Sequence, residues 1–263
     1  MTQYSLREEW SVLYNKFKGP DWPSCPPEEE FHLLPEWVQQ ELITMFGYIP
    51  IVDNIKDNIK RFVCNGLKPI TVLYTDETDG GGTGFGQDYI PALKRKYPDK
   101  KFSRTVEWCS GPGFIGFSLL SHKLCDTLCL TDLYDPAIEL AKTTAINNDC
   151  AEQVTTYLLK DLSLLPSHEQ FDLVVSNPPH FNNKVSRLVN TNRICSDINW
   201  EAHKNFFNNI KSHLAPDGII LLQENYEGST PDSFKPFIED AGLQITDCFN
   251  SVGTFYFLEI KSK

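Results

Sequence analysis

No apolar run in this chain approaches the roughly 18 residues that a membrane span requires, and the opening MTQYSLREEW has no apolar core of the secretory type. A cytoplasmic location is the expectation. Positive charge is in short supply: 24 Lys and Arg stand against 35 Asp and Glu, a net charge of -11. That balance argues against a protein that grips a long duplex through many phosphates. Recognition of one base, one peptide or one small molecule stays open. The eight cysteines include no CxxC pair and no partnered histidine of the zinc type, so reduced thiols are expected and a metal is not. A Ser-His-Asp order, a GxxxxGK[ST] phosphate loop, internal repeats and low-complexity segments are also missing.

What is present suits a folded protein: 263 residues, 41% hydrophobic and 22% charged, enough for one large domain or a domain with an appendage. From about residue 104 short β-rich runs alternate with helical patterns. RTVEWC, DTLCLTD, VTTYLLKD, FDLVVSNPP and GIILLQE read as strands separated by helical stretches, and LQITDCF and TFYFLEIKS follow without a helix between them. The spacing predicts an α/β fold, a doubly wound parallel sheet of seven strands closed by an antiparallel hairpin. Upstream, residues 6–17, 35–46 and 52–63 carry apolar residues at helical spacing. The organisation expected is a helical substrate or accessory region over 1–70, a glycine-rich connector or lid over 71–103, and the sheet domain over 104–263.

GPGFIG, Gly111 to Gly116, follows a strand and opens a helix. Glycines there let a ligand approach the backbone at a strand's carboxyl end. A nicotinamide dinucleotide would set its pyrophosphate at the helix N-terminus, where the carboxylate of Glu107 is a liability. S-adenosylmethionine carries no phosphate and bears an ammonium and a sulfonium, so the same acid gains a partner. Asp132 ends the second strand, placed for ribose hydroxyls, and Asp161 ends the third, placed for an adenine amine. Singly, each acid reads equally well as a helix cap or a solvated loop residue. Three successive strands ending in acids at one edge favour the cofactor.

VEWCSGPGFIGF, LTDLYDPAIELA, LLKDL and VVSNPPH, in that order, resemble the successive motifs of class I S-adenosylmethionine-dependent methyltransferases over residues 104 to 262. The resemblance implies a Rossmann-like sheet and S-adenosylmethionine as cofactor. It places Glu107, Gly111, Gly113 and Gly116 in the glycine-rich cofactor loop, Asp132 and Leu133 at ribose and adenine, and Asp161 and Leu162 at the adenine edge. Cys109 stands where the family's glycine pattern usually begins.

Asn177-Pro178-Pro179-His180 resembles the Asn-Pro-Pro-aromatic motif of methyltransferases that act on planar nitrogens: protein glutamine, adenine N6 and guanine N2. Such a nitrogen has its lone pair delocalised, and two acceptors that hold its hydrogens turn that lone pair toward a sulfonium methyl. Asn177 offers a side-chain carbonyl that also borders the cofactor, and Pro178 a backbone carbonyl whose direction is set by proline geometry. His180 stands where Tyr or Phe is usual; it can stack on a planar acceptor, donate a hydrogen bond, or change charge near neutral pH. The plain alternative is a turn in which Asn-Pro-Pro merely ends a strand.

The glycine-rich DETDGGGTGFGQDYIPAL reads as a mobile lid with Phe85 and Tyr89 as covers and Gln87 or Asp88 as polar contacts, or equally as a connector. Phe181 and the polar segment after it are candidates for the acceptor pocket. The basic stretch Lys94 to Arg104 reads as a solvated face. The function expected is N-methylation of a protein side chain or a small molecule, with a structured RNA base as the alternative. A dinucleotide oxidoreductase and a non-catalytic methyltransferase-like binding protein are the readings from other classes.

Overall fold

A computed structural model describes residues 58–182 and 195–263, which fall within one compact unit, Lys56–Lys263. The helices expected over 6–17 and 35–46 lie outside the described residues. So does the start of the third; where its end is described, the chain forms β1 (Lys60–Cys64) instead, paired antiparallel with β2 (Ile70–Tyr74). The apolar spacing through Val63 matched a helix, but tertiary packing decided otherwise. Phe62 meets the Phe114 ring edge-on at 5.6 Å, and Cys64 is fully buried.

The glycine-rich stretch is folded, with a helical turn at Gly82–Phe85, a 3₁₀ turn at Gly86–Asp88 and then α1 (Tyr89–Lys96). Beyond it lie β3 (Phe102–Trp108), α2 (Phe114–Ser121), β4 (Cys125–Asp132), α3 (Asp135–Asn147), β5 (Val154–Leu158) and β6 (Phe171–Ser176). After them come α4 (Glu201–Ile210), β7 (Leu214–Asn225), α5 (Pro231–Asp240), β8 (Leu243–Asn250) and β9 (Phe255–Ser262). Seven strands make one sheet in the order β5-β4-β3-β6-β7-β9-β8. The first five pair in parallel, while β9 runs antiparallel to both β7 and β8. This is the doubly wound sheet and closing hairpin that the alternation implied.

Alternation along the central strands sends side chains to two cores. Val106, Trp108 and Val174 join Phe206, Phe207 and Ile210 of α4 and Phe234 of α5 on one face. Leu173 and Val175 join Tyr89, Phe117 and Ala141 of α1, α2 and α3 on the other. Each fully buried phenylalanine contributes about 1.5–3 kcal/mol of transfer free energy. Part of the basic stretch is paired: Lys96 meets Asp247 and Glu259, and Arg104 meets Glu169, each at 2.6 Å.

The chain proceeds outward from β3 to β4 and β5, then crosses back to β6 on the other side of β3. Such a reversal opens a crevice at the carboxyl ends of the strands. Into it run the glycine loop after β3 and the Asn-Pro-Pro run after β6. The two are tied together where the Ser176 hydroxyl donates to the carbonyl of Trp108.

Candidate active site

Glu107 points from β3 into the start of α2. Its carboxylate accepts from the backbone N–H of Gly116 at 2.7 Å and of Ile115 at 3.3 Å, and only 2% of the residue is exposed. Burial pushes its carboxyl up to about 8, against the pull of those two hydrogen bonds and with some help from the charge of Asp132. The partner it has is therefore the helix terminus. The same geometry bears on the choice of cofactor. Two amides at the N-terminus of α2 are already engaged, so a pyrophosphate finds a carboxylate where it needs donors.

Gly111 and Gly113 have φ of +52° and +92°, a region where side-chain-bearing residues are strained. Gly116 serves packing: a Cβ there would lie 2.6 Å from Leu128 and 2.9 Å from the Glu107 carboxylate. Cys109 also takes a left-handed turn, φ +51°, and burial pushes its thiol well up. Asp132 accepts from the N–H of Gly111 at 2.7 Å and of Tyr134 at 2.9 Å, which leaves lone pairs for a ligand diol. Burial pushes its carboxyl above the usual range. Leu133 stands 65% exposed beside it. A carboxylate-lined edge, a loop of left-handed glycines and an occupied helix terminus fit a cationic, ribose-bearing group without phosphates.

At the end of β5, Asp161 accepts from Ser163 N–H at 2.7 Å; the Asn205 and Ser163 hydrogen bonds hold its carboxyl below the usual range. Leu162 differs from expectation: its side chain lies in the core below α4, because a 3₁₀ turn rotates it inward. What it offers the adenine edge is backbone at most.

Asn177 is oriented by a chain of hydrogen bonds from β7. Its Nδ2 donates to Gln223 Oε1 at 2.7 Å. Gln223 Nε2 in turn donates to Ser251 Oγ at 2.8 Å and Asp88 Oδ2 at 3.3 Å, and the Ser251 hydroxyl donates to Asp88 at 3.0 Å. An ionised carboxylate only accepts, so Asp88 sets the direction of every bond in the series. Asn177 Oδ1 accepts from no described residue, yet it is absent from the sealed unpaired atoms, Gln87 Nε2 and Thr105 Oγ1. It therefore opens to the outside as an acceptor. No described residue donates to the carbonyl of Pro178 either.

His180 is 8% exposed, edge-on to Phe255 at 5.3 Å. Its Nδ1 lies 3.3 Å from Glu224 Oε2, while Glu224 Oε1 lies 3.0 Å from Nε2 of fully buried His203. His203 Nδ1 is 2.7 Å from Asp197, whose carboxylate also accepts from the N–H of Ala202 and His203 in the first turn of α4. Burial pulls His203 down, but the Glu224 charge and the Asp197 hydrogen bond outweigh it and push it up to about 9. Burial likewise raises Glu224 and Asp197, and the histidine contacts bring both below the usual range.

Two expected substrate contacts sit elsewhere. Tyr89 is fully buried and its hydroxyl donates to the carbonyls of Ser176 at 2.6 Å and Leu221 at 3.2 Å; it buttresses the Asn-Pro-Pro run from beneath. Gln87 accepts from the Ser118 hydroxyl of α2 at 2.8 Å, turned toward the core. Phe85 ends the helical turn Gly82–Phe85. Phe181 adjoins His180 and forms a parallel bridge with Ser196. Sequence reasoning missed Gln223, Glu224, His203 and Asp197 and gave Asp88 a different role. One signal was there: GIILLQEN closes an apolar strand with three polar residues.

The methyltransferase small domain family model matches residues 90–240. The chain belongs to the methyltransferase small domain family. Its cofactor is S-adenosylmethionine, in keeping with the engaged helix terminus. Among curated relatives, this methyltransferase is 29% identical to a bifunctional methyltransferase of Rickettsia bellii over 48% of its own length and 24% of the relative's. It is 34% identical to a release factor glutamine methyltransferase of Leptospira interrogans, over 46% and 41% of the two chains. With a ribosomal RNA large subunit methyltransferase I of Alteromonas mediterranea the identity is 32%, over 43% and 28%. This methyltransferase thus spans less than half of the relatives it matches. A solved T. thermophilus 16S rRNA N2 methyltransferase, in complex with AdoMet and guanosine, shares the fold at TM-score 0.56 and 14% identity, over 80% of this chain and 52% of that one.

Proposed function

We propose that this methyltransferase methylates a planar nitrogen that carries hydrogen, the side-chain amide of a protein or an amide or amine of a small molecule. The observation behind this reading is the direction of the Asn177 amide. With Nδ2 given to Gln223, its free group is Oδ1, an acceptor only, so its substrate partner is a hydrogen-bond donor, a role that an N–H fills. Bound S-adenosylmethionine supplies the electrophilic methyl group. Asn177 Oδ1 and the Pro178 carbonyl take the two hydrogens of an NH2 group and turn its π-face lone pair outward. Phe181 and the His180 ring border the acceptor. A relative named for glutamine fits an acceptor of this chemical type. The net charge of -11 favours protein or small molecule over RNA.

The test is transfer of labelled methyl from S-adenosylmethionine into cell extract, separated into protein, nucleic-acid and small-molecule fractions. Asn177→Ala is expected to lower labelling by about 100-fold or more while cofactor affinity changes little. An undiminished rate in that variant would refute the role given to Asn177. Label in RNA alone would move the acceptor to a base, and cofactor binding without label in any fraction would favour a binding protein.

A further inference from the structure

Resting on that reading, one group of buried charges lies outside the work given to Asn177. His203 has a carboxylate within 3.0 Å of each ring nitrogen, Asp197 at 2.7 Å and Glu224 at 3.0 Å, and both nitrogens can donate only in the imidazolium. Two carboxylates and one imidazolium leave the cluster one negative charge in excess, well away from water. Among the described residues, the one other side chain in contact with Glu224 is His180, through Nδ1 and Glu224 Oε2 at 3.3 Å. The carboxylate accepts, so Nδ1 carries the hydrogen of the neutral ring and Nε2 carries a lone pair. Nε2 has no partner among the described residues and is not among the sealed unpaired atoms, on a ring that directly follows the Asn-Pro-Pro run.

We infer that His180 Nε2 is the proton acceptor of the methyl transfer and that Glu224, backed by His203 and Asp197, is the positioning residue that turns this nitrogen outward. In the step, the acceptor nitrogen's lone pair forms the N–CH3 bond while the C–S bond breaks with its electron pair left on sulfur. Once the nitrogen carries four bonds, one of the two hydrogens held by Asn177 and Pro178 leaves its carbonyl as a proton and passes to Nε2, and the imidazolium formed neutralises the charge on Glu224. A tyrosine or phenylalanine at this place offers no such base at neutral pH. The other titratable groups facing the cluster, the Cys109 thiol and the Tyr89 and Tyr256 hydroxyls, are pushed up by burial and stay neutral. The rings of Trp108, Trp200 and Phe234 enclose His203 and keep water out.

The experiment labels the histidines of the full chain with nitrogen-15 and reads each tautomer by long-range proton–nitrogen NMR, with His180→Phe assigning the signal. Nδ1 protonated and Nε2 bare at neutral pH is the result expected, and that preference for one tautomer is expected to be lost in Glu224→Leu, which removes the acceptor facing Nδ1. An Nε2–H tautomer in the wild type, or an unchanged tautomer in Glu224→Leu, overturns the inference. In the fraction that the wild type labels, His180→Phe is expected to slow transfer about 100-fold at unchanged cofactor affinity. Full activity in His180→Phe removes the proton acceptor and leaves Asn177 untouched, whereas full activity in Asn177→Ala removes the N–H acceptor reading and leaves the tautomer result standing.

Discussion

At the scale of single residues, direction matters more than identity. An asparagine can present either end of its amide, and Asn177 is committed to its oxygen because Gln223 holds its nitrogen. Gln223 is itself committed because Asp88 and Ser251 occupy its own NH2. Gln223→Leu removes that lock at nearly constant volume. Turnover is expected to fall about 10–100-fold with S-adenosylmethionine affinity retained, read from kcat and a calorimetric titration. Equal losses in affinity and turnover would mean that Gln223 supports the cleft as a whole and not the amide.

At the scale of elements, the loop between β3 and α2 does two jobs that glycine alone reconciles. It turns left-handed at Gly113, φ +92°, and it lets α2 pack hard on the sheet. A Cβ at Gly113 would sit 2.8 Å from Leu130 and 2.9 Å from Phe117. Gly113→Ala is therefore expected to cost about 1–3 kcal/mol in unfolding free energy and to weaken S-adenosylmethionine by 10-fold or more. Denaturant titration and calorimetry check both; a variant with native stability and affinity would show that the loop yields at little cost. The asparagine-bearing turn after β6 is braced differently, by the Tyr89 hydroxyl beneath Ser176 and by the Ser176 hydroxyl on Trp108.

At the scale of the molecule, buried charge sets the dependence of stability on pH. His203, pushed up to about 9, contributes stability that is complete below its unfolded value near 6.5 and is lost as pH rises through about 9. The contribution is on the order of 3 kcal/mol. Glu107, pushed up to about 8, acts in the same direction: the unfolded chain ionises first, so stability falls between its unfolded value of 4.5 and about 8. Glu259 works at the acid end. Burial would raise it, but hydrogen bonds from Lys96, Thr246 and Tyr97 hold it down at about 2, so its contribution is lost as pH falls below 4.5 toward 2. The urea midpoint is expected to peak near pH 5 and to decline steadily to pH 9. A midpoint that stays level or rises over that alkaline range would contradict the charged state assigned to His203.

The sequence by itself determined the sheet, its closing hairpin and the cofactor edge. Period-2 and period-3.6 patterns, glycines and strand-ending acids are local, and each acts within a few residues of its own position. It also marked Asn177 and His180, because a strand that stops at Asn-Pro-Pro is visible in one line of letters. Tertiary structure decided what those residues meet. Residues 60–64 became a strand against a helical spacing, Tyr89 and Leu162 went inward, and Glu107 turned to α2. The partners of Asn177 and His180 come from β7, 46 and 44 positions further along the chain. Hydrogen-bond direction and buried charge balance arise only when strands distant in sequence are set side by side, and no local pattern encodes which polar residue will face which.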